Sequence, residues 1–290
     1  MEREGYVTVK DGRIWYKRIG QNKTTAPLII IHGGPGLPHN YLEPLEKISQ
    51  ERDVIFYDQL GCGKSDRLND NSLYNVDRYT NELEQIIDQF TLDKYYILGQ
   101  SWGAALAASL ALQQPHGLKG LILSNSYLST PIWMADAKRL ISKLPANFQK
   151  TIFEFKNGEH YNHDQFRTAT KKYYDDFIQR FEPTPQSLKD SWAGMNHAIY
   201  DFMWGRQEFS LTGNLEKFDL TDRLHEISVP VLLICGRYDE SSPEANIIFQ
   251  TLFKNARLKI FENSAHFPFY NETSSFMEIV SDFLIKTDNL

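Results

Sequence analysis

Cysteine is nearly absent from this chain, and so is any surplus of positive charge. Only Cys62 and Cys235 occur in 290 residues. Two cysteines so far apart make neither a disulfide framework nor a zinc spacing, and reduced, buried thiols are expected. Lysine and arginine number 31 against 37 aspartates and glutamates, a net charge of −6. Such a balance gives no global field to hold nucleic acid or an anionic membrane surface, so neither is expected as a partner. Long apolar runs are missing too. Leu28 to Ile31 and Val231 to Cys235 are among the longest, far short of the roughly 20 residues that cross a bilayer. Met1-Glu2-Arg3-Glu4-Gly5 is charged and leads into no apolar segment. No signal peptide is therefore expected, and a cytoplasmic location is.

What is present is core-forming material. Apolar residues make up 41% and aromatics 13%, too many for a disordered chain. The length allows one large domain or two smaller ones. Tyr6 to Ile19 reads as two strands around Asp11-Gly12. Short apolar runs then recur at Leu28–Ile31, Val54–Tyr57, Tyr95–Leu98, Leu121–Leu123 and Val231–Cys235, with an alternating run at Leu258–Phe261. Runs of this kind suit strands buried on both faces of a parallel sheet. Helical patterns separate them: Leu83, Ile86, Ile87 and Phe90; Leu106 and Leu110 among alanines; Phe276, Ile279, Val280, Phe283 and Leu284. The alternation predicts an α/β fold with a mostly parallel, doubly wound sheet.

The rhythm breaks between about Ser129 and Asp219. Helical stripes replace β-branched runs there, as in Phe166, Ala169, Tyr173, Phe177 and Phe181, and aromatics such as Trp133, Tyr161 and Trp192 are frequent. This divides the chain into an α/β core of residues 1–128 and 219–290 and a helical cap of residues 129–218, inserted before the last strands.

The strongest chemical signal is Gly99-Gln100-Ser101-Trp102-Gly103, a G-x-S-x-G pattern between a strand-like and a helix-like segment. A serine at such a turn projects its hydroxyl over a helix N-terminus, where developing negative charge is favoured. Ser101 needs a base, and the base needs an orienting acid. His266 stands just after the late strand Leu258–Phe261, whereas His197 lies in the insert and His225 precedes a strand. Val231–Cys235 is followed by Asp239 and Glu240, and Asp239 is the preferred acid because it is nearer the strand end. His32-Gly33-Gly34-Pro35-Gly36 follows strand Leu28–Ile31, so the backbone N–H groups of Gly34 and Trp102 are candidate oxyanion donors. Asp58-Gln59-Leu60-Gly61-Cys62-Gly63-Lys64-Ser65 is also glycine-rich but fits no phosphate loop. It reads as a turn scaffold near the site. No metal or other cofactor is expected.

Together, His32–Gly36 with His39-Asn40-Tyr41, Tyr57-Asp58-Gln59 with Gly61–Ser65, and Gly99–Gly103 resemble the proline iminopeptidases (prolyl aminopeptidases) of the α/β-hydrolase fold, tricorn-interacting aminopeptidases included. The resemblance runs from about residue 10 to the C-terminus and is looser in the insert. It implies removal of an N-terminal residue, often proline, from short peptides or aminoacyl amides. It also implies that glutamates bind the substrate's amino terminus: Glu240, after the triad aspartate, and Glu208 in Gly205-Arg206-Gln207-Glu208-Phe209. Arg206 and Gln207 depart from the family's Gly-Pro-Asn-Glu-Phe-like segment. Carboxylates in a partly desolvated cleft suit a cationic amine, because charge-assisted hydrogen bonds strengthen there. Trp204 and Phe209 are candidates either for the wall of a proline pocket or for the core. Competing readings are an amidase, esterase or lactonase on the same fold, and a non-catalytic binding protein. The second expects a lost triad member, and none is lost. An epoxide hydrolase or dehalogenase would need an acid at position 101.

Overall fold

The β-branched runs become the middle of one sheet. The structure, a computed structural model, describes residues 2–21, 24–156 and 163–289. Eight strands form the sheet: β1 (Glu2–Val9), β2 (Gly12–Ile19), β3 (Leu28–Ile31), β4 (Val54–Tyr57), β5 (Tyr95–Gln100), β6 (Leu118–Ser124), β7 (Val231–Gly236) and β8 (Ala256–Phe261). Their order is β1-β2-β4-β3-β5-β6-β7-β8. β1, β2 and β4 pair antiparallel, and all remaining neighbours pair parallel. Strand β5 outruns its apolar segment. Gly99 and Gln100 still pair with Leu123 and Ser124, so the turn falls on Ser101 itself.

Helices between the strands are α1 (Val76–Gln89) and α2 (Trp102–Ala111), then α3 (Thr130–Ile141), α4 (Ala146–Lys156), α5 (His163–Phe177), α6 (Gln186–Gly194) and α7 (His197–Met203). After β7 come α8 (Pro243–Leu252), the short α9 (Pro268–Asn271) and α10 (Thr273–Asp288). The pleat sends alternate residues to opposite faces. Ile29 and Ile31 of β3 join a cluster with Leu83 of α1 and Leu106 of α2. Leu28 and Ile30 join a second cluster with Phe276, Val280 and Leu284 of α10 and Leu42 and Leu45 of the 3-10 segment His39–Gln50.

Helices α3 to α7 occupy the predicted insert. At its two ends the chain pairs with itself. Ser129 bridges Asp219, Thr130 N–H donates to Phe218 O at 2.8 Å, and Leu220 N–H donates to Leu128 O at 3.0 Å. The stripe Phe166, Ala169, Tyr173 and Phe177 is buried along α5, while Phe181 lies beyond that helix and Tyr161 lies outside the described residues. The insert settles on the glycine-rich loops. Asn196 N–H donates to Gly36 O at 2.9 Å, and Asn196 Nδ2 donates to Gly61 O at 2.9 Å. A Cβ on Gly36 would come within 2.7 Å of Asn196 O, and one on Gly61 within 2.3 Å of Ile199 Cδ1. The loop after β4 is thus a seat for α7 as well as a turn. Among the described residues no helix is long and apolar enough to cross a membrane, and no cluster of side chains suits a metal ion.

Candidate active site

The parallel strands end where a doubly wound sheet places ligands. Ser101 sits between β5 and α2 with φ 55° and ψ −119°, a region L-residues avoid at a cost of about 1–3 kcal/mol. Packing enforces it. A Cβ on Gly99 would meet Gly103 O at 2.2 Å, and one on Gly103 would meet Ile31 O at 2.3 Å. Only glycine lets strand, turn and helix approach so closely. Ser101 N–H donates to Ser124 O at 2.9 Å, fixing the turn to β6. Trp102 opens α2, so its N–H is among those a helix leaves without an internal partner.

His266 follows β8, and its Nδ1 lies 2.7 Å from Asp239 Oδ1. Asp239 also accepts from Ser241 N–H at 3.0 Å and Gly236 N–H at 3.4 Å, and Asn125 Nδ2 donates to its other oxygen. These donors fix the carboxylate, and the carboxylate fixes the imidazole. Ser101, His266, Gly34, Glu208 and Glu240 all line one cavity of about 310 Å³.

Two networks brace the loop after β3. Gly33 N–H donates to Tyr41 Oη at 2.6 Å, Tyr41 Oη donates to Gln100 Oε1 at 2.6 Å, and Gln100 Nε2 donates to His266 O at 3.3 Å. This chain joins the Gly34 loop, the residue before Ser101 and the backbone of His266. In the second, Gln59 N–H donates to His32 Nε2 at 2.9 Å, and Trp102 Nε1 donates to Gln59 Oε1 at 2.9 Å. His32 Nδ1 faces Gly33 O at 2.9 Å, and burial brings its pKa down to about 4. His32 is therefore a neutral strut.

The two glutamates face the same space. Glu240 Oε1 is 3.9 Å from His266 Nε2. Its Oε2 is buried and, among the described residues, has no hydrogen-bond partner. Burial raises the Glu240 pKa well above the usual carboxylate range, and the charges of Glu208 and Asp239 raise it further. Glu208 accepts from Tyr200 Oη. Its pKa is also raised, by burial first, against the opposing effects of the Tyr200 hydrogen bond and His266. Two carboxyls that line one cavity, one with an oxygen unpartnered among the described residues, offer acceptors to a cation.

Trp204 and Phe209 do not line this cavity, so the pocket-wall reading is corrected. Trp204 is 1% exposed and packs on Tyr127 and Trp133, with Nε1 donating to Glu208 O at 3.2 Å. Phe209 is buried against Phe166 and Tyr173. Their role is to hold the backbone around Glu208. The aromatic lining comes from Tyr174, Trp192, Tyr200 and Phe267, and His197 joins it. Asn125 was not anticipated. It stands at φ 55° directly after β6, and the polar run Ser124-Asn125-Ser126 at a strand end was its only signal.

A family profile described as the alpha/beta hydrolase fold matches residues 26–273. The chain is 40% identical over 285 residues to a proline iminopeptidase of Heyndrickxia coagulans, covering 98% of this chain and 99% of that one. It is 34% identical to a proline iminopeptidase of Saccharolobus solfataricus, with 97% and 92% covered. Among solved structures, the proline iminopeptidase of Mycobacterium smegmatis superposes with a TM-score of 0.93 at 30% identity, covering 99% of both chains.

Proposed function

The chain belongs to the proline iminopeptidase family of the α/β-hydrolase fold, and from that membership we propose that it is a serine aminopeptidase releasing an N-terminal residue, preferably proline, from short peptides. The observation that carries the reading is the glutamate pair. An exopeptidase must recognise a cationic amine next to the scissile carbonyl, and Glu208 and Glu240 share the cavity of Ser101 and His266. An ester or lactone brings no amine and leaves that pair without a use.

In this reading Ser101 Oγ attacks the carbonyl carbon while His266 takes its proton, and Asp239 holds the imidazole in position. The N–H groups of Gly34 and Trp102 receive the oxyanion, each worth about 3 kcal/mol in the transition state. His266 passes the proton to the leaving amine as the C–N bond breaks. Water, with His266 again as base, then releases the acyl residue and restores Ser101. Residues 129–218 act as a cap, carrying Glu208 and, apart from Phe267, the aromatic wall over the strand ends and limiting access to small substrates.

The test compares free and N-acetylated prolyl arylamides alongside a p-nitrophenyl ester lacking an amine. Acetylation removes the charge, so the free arylamide is expected to be cleaved far faster. Equal rates on the acetylated and free forms would favour the esterase or lactonase reading instead.

A further inference from the structure

Arg206 is a departure from the family pattern that the chemistry above leaves unused. It lines the cavity of Ser101, Glu208 and Glu240. It also lines an adjoining cavity of about 660 Å³ with Lys156, Ser210 and Thr212, and Asp201, Arg206 and Gln207 belong to both walls. Among the described residues Arg206 makes no hydrogen bond or ion pair, unlike Arg78 or Arg139, each of which holds two carboxylates. Its backbone is fixed. Gly205 turns at φ 126°, Thr212 N–H and Gly213 N–H donate to Trp204 O at 2.8 and 2.9 Å, and Gln207 bridges Ser210. One braced turn therefore presents a carboxylate at Glu208 and a free guanidinium two positions earlier.

We infer that Arg206 binds the C-terminal carboxylate of the departing peptide, so that the protein favours dipeptides and tripeptides with a free C-terminus. This rests on the aminopeptidase reading. A dipeptide carries its opposite charges about 7 Å apart at most, from about 3.3–3.6 Å per residue. Glu208 and Arg206 line the same cavity, and the flexible arginine stem can set its guanidinium to that span. The planar guanidinium matches a carboxylate with two parallel hydrogen bonds. Lys156 is a second cation in the adjoining cavity, within reach of Phe209 O at 3.4 Å, and it extends the positive side for a longer product. Asp201 is the competing charge on the shared wall.

The experiment measures kcat/KM for prolyl-alanine and prolyl-alaninamide, with a prolyl arylamide as the amine-only control. The readout is the acid-to-amide ratio within each protein, so a general change in activity cancels. The wild type is expected to favour the acid by about 5-fold, a partly exposed charged pair. Arg206→Met should bring the ratio to about one, Arg206→Lys should keep most of it, and Asp201→Asn should raise it. A ratio near one in the wild type, or a ratio unchanged in Arg206→Met, overturns the inference while arylamide cleavage leaves the aminopeptidase reading standing. No cleavage of the arylamide overturns both.

Discussion

At the scale of single residues, the site spends stability on charge. Glu240 is 3% exposed, with one oxygen unpartnered among the described residues. Its folded pKa lies above the unfolded value, so the native state binds the proton more tightly. That contribution is fully present below the unfolded carboxylate value and is lost as pH rises through the raised folded one. Glu240→Gln is therefore expected to raise Tm by about 2 °C at pH 8 and to leave it unchanged near pH 4. The same variant should lose about 2–4 kcal/mol in kcat/KM on free-amine substrates and much less on an amine-free ester. A lower Tm at pH 8, or equal losses on both substrates, would make the glutamate a structural support. Ser101→Ala should lose about 10⁴-fold or more in rate with its melting curve retained; turnover near the wild-type rate would remove Ser101 from the mechanism. The meeting of Asp239 with His266, and of His266 with Ser101 in one cavity, was legible because each follows a strand, and the chemistry proposed for them narrows the choice to a few residues. Asn125 was not, because a side chain that acts by holding another carries no motif, and Tyr41 was visible only as part of the family pattern and not as a brace. Trp204 and Phe209 were ambiguous for a different reason: an aromatic walling a pocket and one in the core look alike in sequence.

At the scale of elements, close approach decides what the sequence must contain. The crossing of α2 over β3 leaves no room for a methyl group at Gly103, whose added Cβ would lie 2.3 Å from Ile31 O and 2.8 Å from His32 O. Both are backbone atoms that cannot rotate away. Gly103→Ala is expected to cost about 1–3 kcal/mol, read as a fall in Tm by calorimetry, and to lower kcat on amides and esters alike, since Ser101 and the Gly34 loop shift together. Unchanged Tm and kcat would mean that α2 accommodates the methyl group by moving. The strands were readable because both faces are buried, which leaves short β-branched runs. Their ends were less so. Polar pairing carried β5 through Gln100, and β6 extends to Leu118 and Ser124, where the apolar signal has faded but the ladder continues.

At the scale of the whole molecule, the sequence divides core from cap more sharply than the packing does. A backbone bridge joins Ser129 to Asp219, where the sequence pattern changes, yet the apolar clusters run across that point. Trp133, Met203 and Trp204 of the insert belong to the cluster that holds Leu83 and Leu106. Phe166, Tyr173, Phe177 and Phe209 belong to the cluster that holds Ile30 and Phe276. Phe177 O accepts from Glu240 N–H at 3.1 Å, and Ile178 O accepts from His266 N–H at 3.1 Å, so the backbone beside the candidate acid and base is held by the insert. Removing those contacts exposes buried aromatics, each worth about 1.5–3 kcal/mol in burial, and frees the residues around His266. Cap and core should therefore melt as one unit. A calorimetric scan is expected to give a single transition, with activity and near-ultraviolet circular dichroism lost at the same temperature. Two resolved transitions, or activity lost well before the bulk of the structure, would mean that the cap unfolds independently and that the clusters are weaker links than their burial implies.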